Sequence, residues 1–112
     1  MSRPISKSEA AVLKRALEVG ASEEISPGIL ASIAALRVTA GCKCGCATVW
    51  FGPDGDATVG HMLADALATS NGQEIQVIVW SQGNAIVGLE LVGFGTPALL
   101  PDAAFVRGYG AA

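Results

Sequence analysis

Charged side chains are scarce in this sequence. Asp, Glu, Lys and Arg make up 15% of its 112 residues, and the formal net charge at pH 7 is −3. The seven basic residues are scattered between Arg3 and Arg107 and form no cluster. Proteins that bind nucleic acids or anionic membranes gain much of their affinity from grouped Lys and Arg side chains. The composition therefore argues against a nucleic acid or a membrane surface as partner.

Long apolar runs are also lacking. No stretch of ~18 apolar residues is free of charges and turns, which a membrane-spanning helix would require. The longest candidate, residues 75–100, is interrupted by Gly83, Asn84 and Glu90. The first residues, Met1 to Lys7, do not resemble the apolar core of a signal peptide. We therefore expect a soluble cytoplasmic protein, in a reducing compartment where structural disulfides are uncommon.

Groups that commonly perform catalysis are few. The only histidine is His61, and the sequence does not place an acidic partner beside it. No nucleophile, base and orienting group can be assembled from one histidine and isolated carboxylates. Asp54 and Asp56 flank a glycine but lack the further oxygen ligands of a calcium loop. The sequence thus predicts no catalytic residues, and we expect the protein not to be an enzyme.

Apolar residues, by contrast, make up 51% of the chain. A chain of this length corresponds to one domain, here residues 1–112, with 1–5 and 106–112 expected to be loosely ordered. Such an apolar excess is more than a small domain comfortably buries, and association of identical chains would hide it. We therefore predict a homo-oligomer, most simply a homodimer.

Two helices are predicted near the N-terminus. Ser6 and Glu9 have the spacing of a capping box, and an apolar stripe follows, which indicates a helix over 6–19. Gly20 stands where a helix would end in a left-handed residue. Ser26 followed by Pro27 repeats the start signal, so a second helix is predicted over 27–35.

The remainder of the chain has the pattern of β-structure. Residues 37–40 and 47–51 are β-like, and residues 75–80 and 85–94 form a second pair of strands around a Gly83-Asn84 turn. Residues 59–69 fit either a short helix or an extended segment. Short connections favour antiparallel pairing. The predicted fold is α+β, with two N-terminal helices packed on a roughly four-stranded antiparallel sheet.

Three cysteines stand close together in the run Cys42-Lys43-Cys44-Gly45-Cys46. A three-residue loop that ends in glycine is a common hairpin connection, because glycine takes the left-handed position. This favours a hairpin tip at 43–45, with Cys42 and Cys46 facing each other. The alternative is one continuous strand with all three cysteines on one face.

The segments from Arg37 to Asp102 follow one another in a recognisable order. They are Arg37-Val38-Thr39, the cysteine run, Ala47-Thr48-Val49, Val77-Ile78-Val79-Trp80, Gly88-Leu89-Glu90-Leu91 and Leu100-Pro101-Asp102. They resemble a group of small uncharacterised bacterial proteins that carry a C-x-C-G-C motif before a β-hairpin. The resemblance covers roughly residues 27–102, and the cysteine run is its only specific element. It implies a bacterial domain of unknown function and supplies no catalytic residue.

Four interpretations of the cysteine run remain open. The favoured one is structural, because cysteine is often buried as a small hydrophobic residue. A metal site would suit thiolates, but zinc usually takes four ligands, so Cys42, Cys44 and Cys46 would need His61 as the fourth. A reactive thiol would need a neighbouring cation or base. A Cys42–Cys46 disulfide is the last possibility. We expect no metal and no cofactor, zinc being the candidate if there is one.

Three further residues, two tryptophans and one glutamate, lie within the predicted strands. Trp50 and Trp80 each lie near a strand end and are interpreted as core aromatics. Glu90, within an apolar strand, is expected at an edge or facing solvent. The functional prediction is a small non-enzymatic binding protein that acts through a sheet face or a dimer surface. The alternative is a metal- or thiol-dependent protein that uses Cys42, Cys44 and Cys46.

Overall fold

The fold is α+β, as the sequence predicts, and is taken from a computed structural model. The structure describes residues 2–42, 45–52, 60–94 and 97–109. Within them a long N-terminal helix and a short one precede most of the strands. The elements are β1 Arg3–Pro4, α1 Lys7–Gly20, α2 Pro27–Ser32, a 3₁₀ turn Ile33–Ala35, β2 Arg37–Val38, β3 Ala40–Gly41, β4 Val49–Trp50, β5 His61–Ser70, β6 Gln73–Gln82, β7 Ala85–Val92 and a second 3₁₀ turn Ala103–Phe105.

The main sheet has five strands in the order β3-β4-β7-β6-β5, and every pairing is antiparallel. A separate two-stranded sheet joins β1 to β2. The predicted count of four strands was therefore wrong, because β5 is a fifth. The second predicted helix also ends early, since α2 has six residues before the 3₁₀ turn.

Strand β5 resolves the ambiguous segment in favour of the extended conformation. Ser70 pairs with Gln73 across Asn71 and Gly72, whose φ angles are 52° and 76°. Positive φ at both central positions is typical of the turn that matches the twist of a two-residue hairpin. The turn commits the residues before it to pair with β6. Pairing with β6 therefore outweighs the helix-like spacing of the apolar residues in this segment.

The N-terminus of α1 is fixed by several hydrogen bonds. The Glu9 amide donates to Ser6 Oγ at 3.0 Å, and the Ser6 amide donates to Glu9 Oε1 at 2.9 Å, which completes the predicted capping box. Arg3 donates to both carboxylate oxygens of Glu9, at 2.9 and 2.7 Å. This hydrogen bonding lowers the pKa of Glu9 against an opposing effect of burial. A charge at the first turn of the helix is thus held in place.

Gly20 does not have the predicted role. It is the last residue of α1, the cap follows at Ala21, and its φ is not positive. A Cβ at Gly20 would lie 2.5 Å from the carbonyl oxygen of Asp65 in β5. The glycine therefore permits close approach of helix and strand backbones, a contact that local sequence does not reveal.

The two faces of the main sheet have different surroundings. On the covered face, α1 packs over β5 and β6, and α2 contacts β7. The core there is aliphatic, with Leu13, Val77 and Leu89 fully buried. We call the opposite side the open face. Strand register and the burial pattern place on it Thr48, Trp50, Asp65, Gln76, Ile78, Trp80, Gly88 and Glu90.

A bulge alters the alternation of β7. Trp80 pairs with Gly88, but the next pair is Ser81 with Ile86, so Val87 is an extra residue on its strand. Ile86 accordingly joins the core cluster, and Val87 does not. The side chain of Val87 instead lies beside Gly52, where a Cβ would meet it at 3.3 Å. A strict alternation along β7 places these two residues on the wrong faces.

Both terminal segments contain paired backbone within the described residues. Arg3 and Pro4 pair with Val38 and Arg37. Near the other end, Arg107 exchanges two 2.8 Å hydrogen bonds with Leu67 on the outer side of β5. Ala21 bridges to the same strand at Ala64. Over the ranges that the structure describes, no helix combines the length and the apolar character needed to span a bilayer.

Candidate binding groove

A groove of about 440 Å³ opens on the side of the sheet where β4 meets β7. This volume lies within the range of small-ligand sites. Its walls combine apolar side chains with a few polar ones. The lining residues are Cys42, Cys46, Thr48, Trp50, Glu90, Leu91, Val92, Gly93, Pro97 and Ala98. We refer to this feature as the groove.

The pairing of β4 with β7 determines which side chains enter the groove. Val49 pairs with Leu89, and both face the core. Their neighbours therefore point the other way. Thr48 secures the end of this pairing, because its hydroxyl accepts the Leu91 amide at 2.9 Å and donates to the Leu91 carbonyl at 3.3 Å. A side chain thus replaces a backbone partner at the groove floor.

Trp50 occupies the open face because Gly88 leaves room for it. A Cβ at Gly88 would lie 2.4 Å from two carbons of the Trp50 ring and 3.5 Å from Trp80. The six-membered ring of Trp50 therefore lies against the glycine backbone. Both tryptophans are half-buried and neither belongs to the core cluster. The prediction that they are core aromatics was wrong, because their side chains face away from α1.

Glu90 is the single acidic residue among the described residues that line the groove. It pairs with Ile78 across the strands and is half-buried. The indole Nε1 of Trp80 donates to Glu90 Oε1 at 2.9 Å. The carboxylate is therefore positioned beside the Trp80 ring, in a groove that Trp50 also lines. The expectation of an edge or solvent-facing residue missed this contact, which joins positions ten residues apart in the sequence.

The hairpin predicted around the cysteine run is confirmed, with a different register. Ala40 pairs with Trp50 and Gly41 with Val49, so Cys42 continues opposite Thr48 rather than opposite Cys46. Gly45 has the predicted left-handed conformation, with φ 91°, and its amide donates to the Cys42 carbonyl at 3.4 Å. The single continuous strand is thereby excluded. Lys43 and Cys44, also placed at the tip, lie outside the described residues.

Cys42 and Cys46 are half-buried and line the groove, whereas the structural interpretation expects buried cysteines beside a tight turn; Cys46 also packs against the core cluster. Cys42 is disulfide-bonded. Its bond is not to Cys46, which carries a thiol, so the Cys42–Cys46 disulfide, the last of the four interpretations, is not formed. The Cys46 thiol donates to Thr48 Oγ1 at 3.2 Å. The hydroxyl that secures Leu91 therefore also orients this sulfur.

His61 lies on the far side of the sheet from the cysteines. It begins β5, which is separated from β4 by β7 and β6. Three strand spacings amount to ~14 Å, well beyond the reach of a shared metal ion. Among the residues that the structure describes, no group of three or more His, Cys, Asp or Glu side chains could hold a metal. Asp54 and Asp56, the weaker candidates from sequence, fall outside those residues.

No protein-family model, curated protein or solved structure matches the chain. The groove must therefore be interpreted from its own geometry. Its lining comes from the cysteine hairpin, from β7 and from the segment after Val92. The sequence contained one indirect signal for it. Thr48 and Glu90 are polar residues within otherwise apolar strands, and such positions need a partner that stabilises them.

Proposed function

We propose that the protein is a small non-enzymatic binding protein that holds an organic ligand in the groove. The observation that carries this proposal is a groove in which apolar walls and the Trp50 side chain are combined with the half-buried carboxylate of Glu90. Ligand sites typically combine a mostly apolar surface with few polar groups that fix orientation. Glu90 supplies such a group here, and the sulfur of Cys46 lies in the same groove.

The contacts within the groove favour binding over catalysis. The Cys46 thiol donates to a hydroxyl, and Glu90 accepts from an indole. A nucleophile would instead need a base within hydrogen-bond reach, with a third group to orient that base. His61, the only imidazole, is too distant to serve. The described residues of the groove therefore provide recognition groups without a proton-transfer pair.

The proposal is tested by screening a fragment collection against the protein with amide NMR spectra. Ligands of the groove should shift the amide signals of Cys46, Glu90 and Leu91, while signals of α1 remain in place. Fragments that shift only distant amides, or no amides at all, would contradict the proposal.

A pair of glycine variants makes the screen specific. Gly88→Ala introduces a Cβ into the space of the Trp50 ring and should abolish these shifts. Gly28→Ala is the matched control, because a Cβ at that position meets nothing within 4 Å. Equal binding by both variants would place the ligand elsewhere on the molecule.

A second candidate function, thiol chemistry, is favoured by one specific observation. The disulfide-bonded Cys42 and the thiol of Cys46 line the same groove. Thiol–disulfide exchange requires a thiolate with access to a disulfide sulfur. The test is mass spectrometry of the native protein after alkylation in a series of glutathione buffers. A redox function predicts a midpoint within the range of cellular buffers, whereas a Cys46 that resists alkylation throughout would exclude it.

A further inference from the structure

We infer that the ligand of the groove is a small organic cation, an ammonium group carried on an apolar stem. This inference rests on the binding function proposed above. Its first support is the incomplete hydrogen bonding of the Glu90 carboxylate. One carboxylate oxygen accepts from Trp80, and no described residue donates a hydrogen bond to the other. A ligand cation would complete the hydrogen bonding of a charge that is already half-buried.

The charges around the groove are consistent with a positively charged ligand. Three ion pairs join described residues, and they use the carboxylates of Glu9, Glu18 and Glu74 rather than that of Glu90. Among the described residues that line the groove, none is Lys or Arg. The negative charge of the site is therefore not neutralised by the described protein groups, and the net charge of −3 adds attraction for cations.

The aromatic wall supports the same ligand class. Trp50 lies along the groove with one part of its ring against Gly88. The negative face of an indole attracts ammonium groups more strongly than the rings of Tyr or Phe do. An indole and a carboxylate at one site together favour a cation over a neutral hydrogen-bond donor, which gains less from either group.

The remaining wall is suited to the stem of such a ligand. Val92 and Pro97 give the groove apolar surface beyond the carboxylate, above the buried Leu91 and Ala98. The volume of about 440 Å³ accommodates a short alkyl chain together with its head group. Amphipathic cations bury their methylene groups while the charge stays near a polar partner.

The test compares three probes of similar shape: pentylammonium, 1-pentanol and pentanoate. Each is titrated into the protein, and the amide shifts of Glu90 and Leu91 are followed. Pentylammonium should bind about tenfold more tightly than pentanol, and pentanoate more weakly than either. Glu90→Gln keeps an oxygen acceptor for Trp80 and should remove the preference. Glu24→Gln, an exposed carboxylate on another surface, should retain it.

The outcomes separate this inference from the binding function on which it rests. Equal affinity for pentanol and pentylammonium would overturn the inference that the ligand is a cation. It would leave the groove as a binding site. Absence of groove shifts with all three probes, and with the fragment collection, would overturn both. Persistence of the preference in Glu90→Gln would also overturn the inference. If that variant fails to fold, the salt dependence of the wild-type protein tests the inference instead. About 0.5 M NaCl should reduce the preference for pentylammonium over pentanol, and an unchanged preference would contradict the inference.

Discussion

The two faces of the main sheet are built from the same strands and differ in almost every property. The covered face is aliphatic, and its central side chains, such as Val77 and Leu89, have no exposed surface. The open face carries two tryptophans, the carboxylates of Asp65 and Glu90, and a glycine that is needed for space. Alternation along each strand lets one set of residues stabilise the fold and leaves the other set available for the ligand that we propose. Mutations on the two faces should therefore have separable effects.

The largest expected effect belongs to the covered face. Leu13 of α1 is 0% exposed, so Leu13→Ala leaves a cavity and should lower the free energy of unfolding by about 2–5 kcal/mol. Urea denaturation measures this change. Leu30 is 40% exposed and provides the matched control, for which we expect a loss of less than about 1 kcal/mol. Similar losses at the two leucines would contradict the assignment of the core.

The next effect tests the open face directly. Gly88→Ala places a Cβ against the Trp50 ring and should lower the free energy of unfolding by about 1–3 kcal/mol, because the ring must move. The tryptophan emission maximum should shift to longer wavelength as Trp50 becomes more exposed. Gly28→Ala, within α2, should instead be neutral or stabilising by up to about 1 kcal/mol. An unchanged emission spectrum in Gly88→Ala would mean that Trp50 does not pack on Gly88.

The stability of the N-terminus of α1 should depend on pH through Glu9. The folded-state pKa of Glu9 is lowered, chiefly by the hydrogen bonds from Arg3. The stability that Glu9 contributes is therefore fully present above its unfolded pKa of about 4.3 and is lost as the pH falls through the lowered folded value. Glu9→Gln should be less stable at neutral pH by about 1 kcal/mol. It should also lose less stability between neutral pH and acid.

Thermal unfolding across this pH range measures the difference, and Glu18→Gln is the control. Glu18 pairs with Arg15 at 3.4 Å in an exposed position, where ion pairs contribute little. The Glu18 variant should therefore follow the wild-type pH profile. A Glu9→Gln profile parallel to wild type would show that the carboxylate of Glu9 does not sense the Arg3 charge in solution.

The smallest effect on stability is expected at the residue that matters most for the ligand. Glu90→Gln retains an oxygen that can accept from Trp80, so the free energy of unfolding should change by less than about 0.5 kcal/mol. Chemical denaturation checks this value beside the probe titrations. A large destabilisation would mean that Glu90 is a structural residue, and the division of roles between the two faces would no longer hold.

The sequence predicted those helices and turns that are determined by residues close to them in the chain. Ser6 and Glu9 mark the start of α1, and the Gly45 and Gly83 turns mark two hairpins, all within a few residues of the features they set. The fifth strand was ambiguous because the apolar spacing around Met62 and Leu63 fits two conformations. Self-association of the apolar chain stays a prediction, to be checked by light scattering at high concentration.

The candidate site could not be derived in the same way, because its determinants are distant in sequence. Gly88 matters only because Trp50 lies across from it, and Gly20 because Asp65 does. Trp50 and Trp80 carry no local sign of which face they occupy, since the face depends on the bulge and on where α1 packs. Composition indicated that catalytic groups were few, but it did not indicate where the strands would bring Thr48 and Glu90 together.

The two short backbone bridges on β5 have a consequence for how such an apolar chain avoids aggregation. An outer strand with unpaired amides and carbonyls is a template for another chain to add to. Here Ala21 and Arg107 each pair with the outer side of β5, and the opposite outer strand, β3, is only two residues long. Within the part of the chain that the structure describes, neither boundary of the sheet offers a long uninterrupted template. Any contact between copies of this chain would therefore be made through surfaces rather than by continuing the sheet.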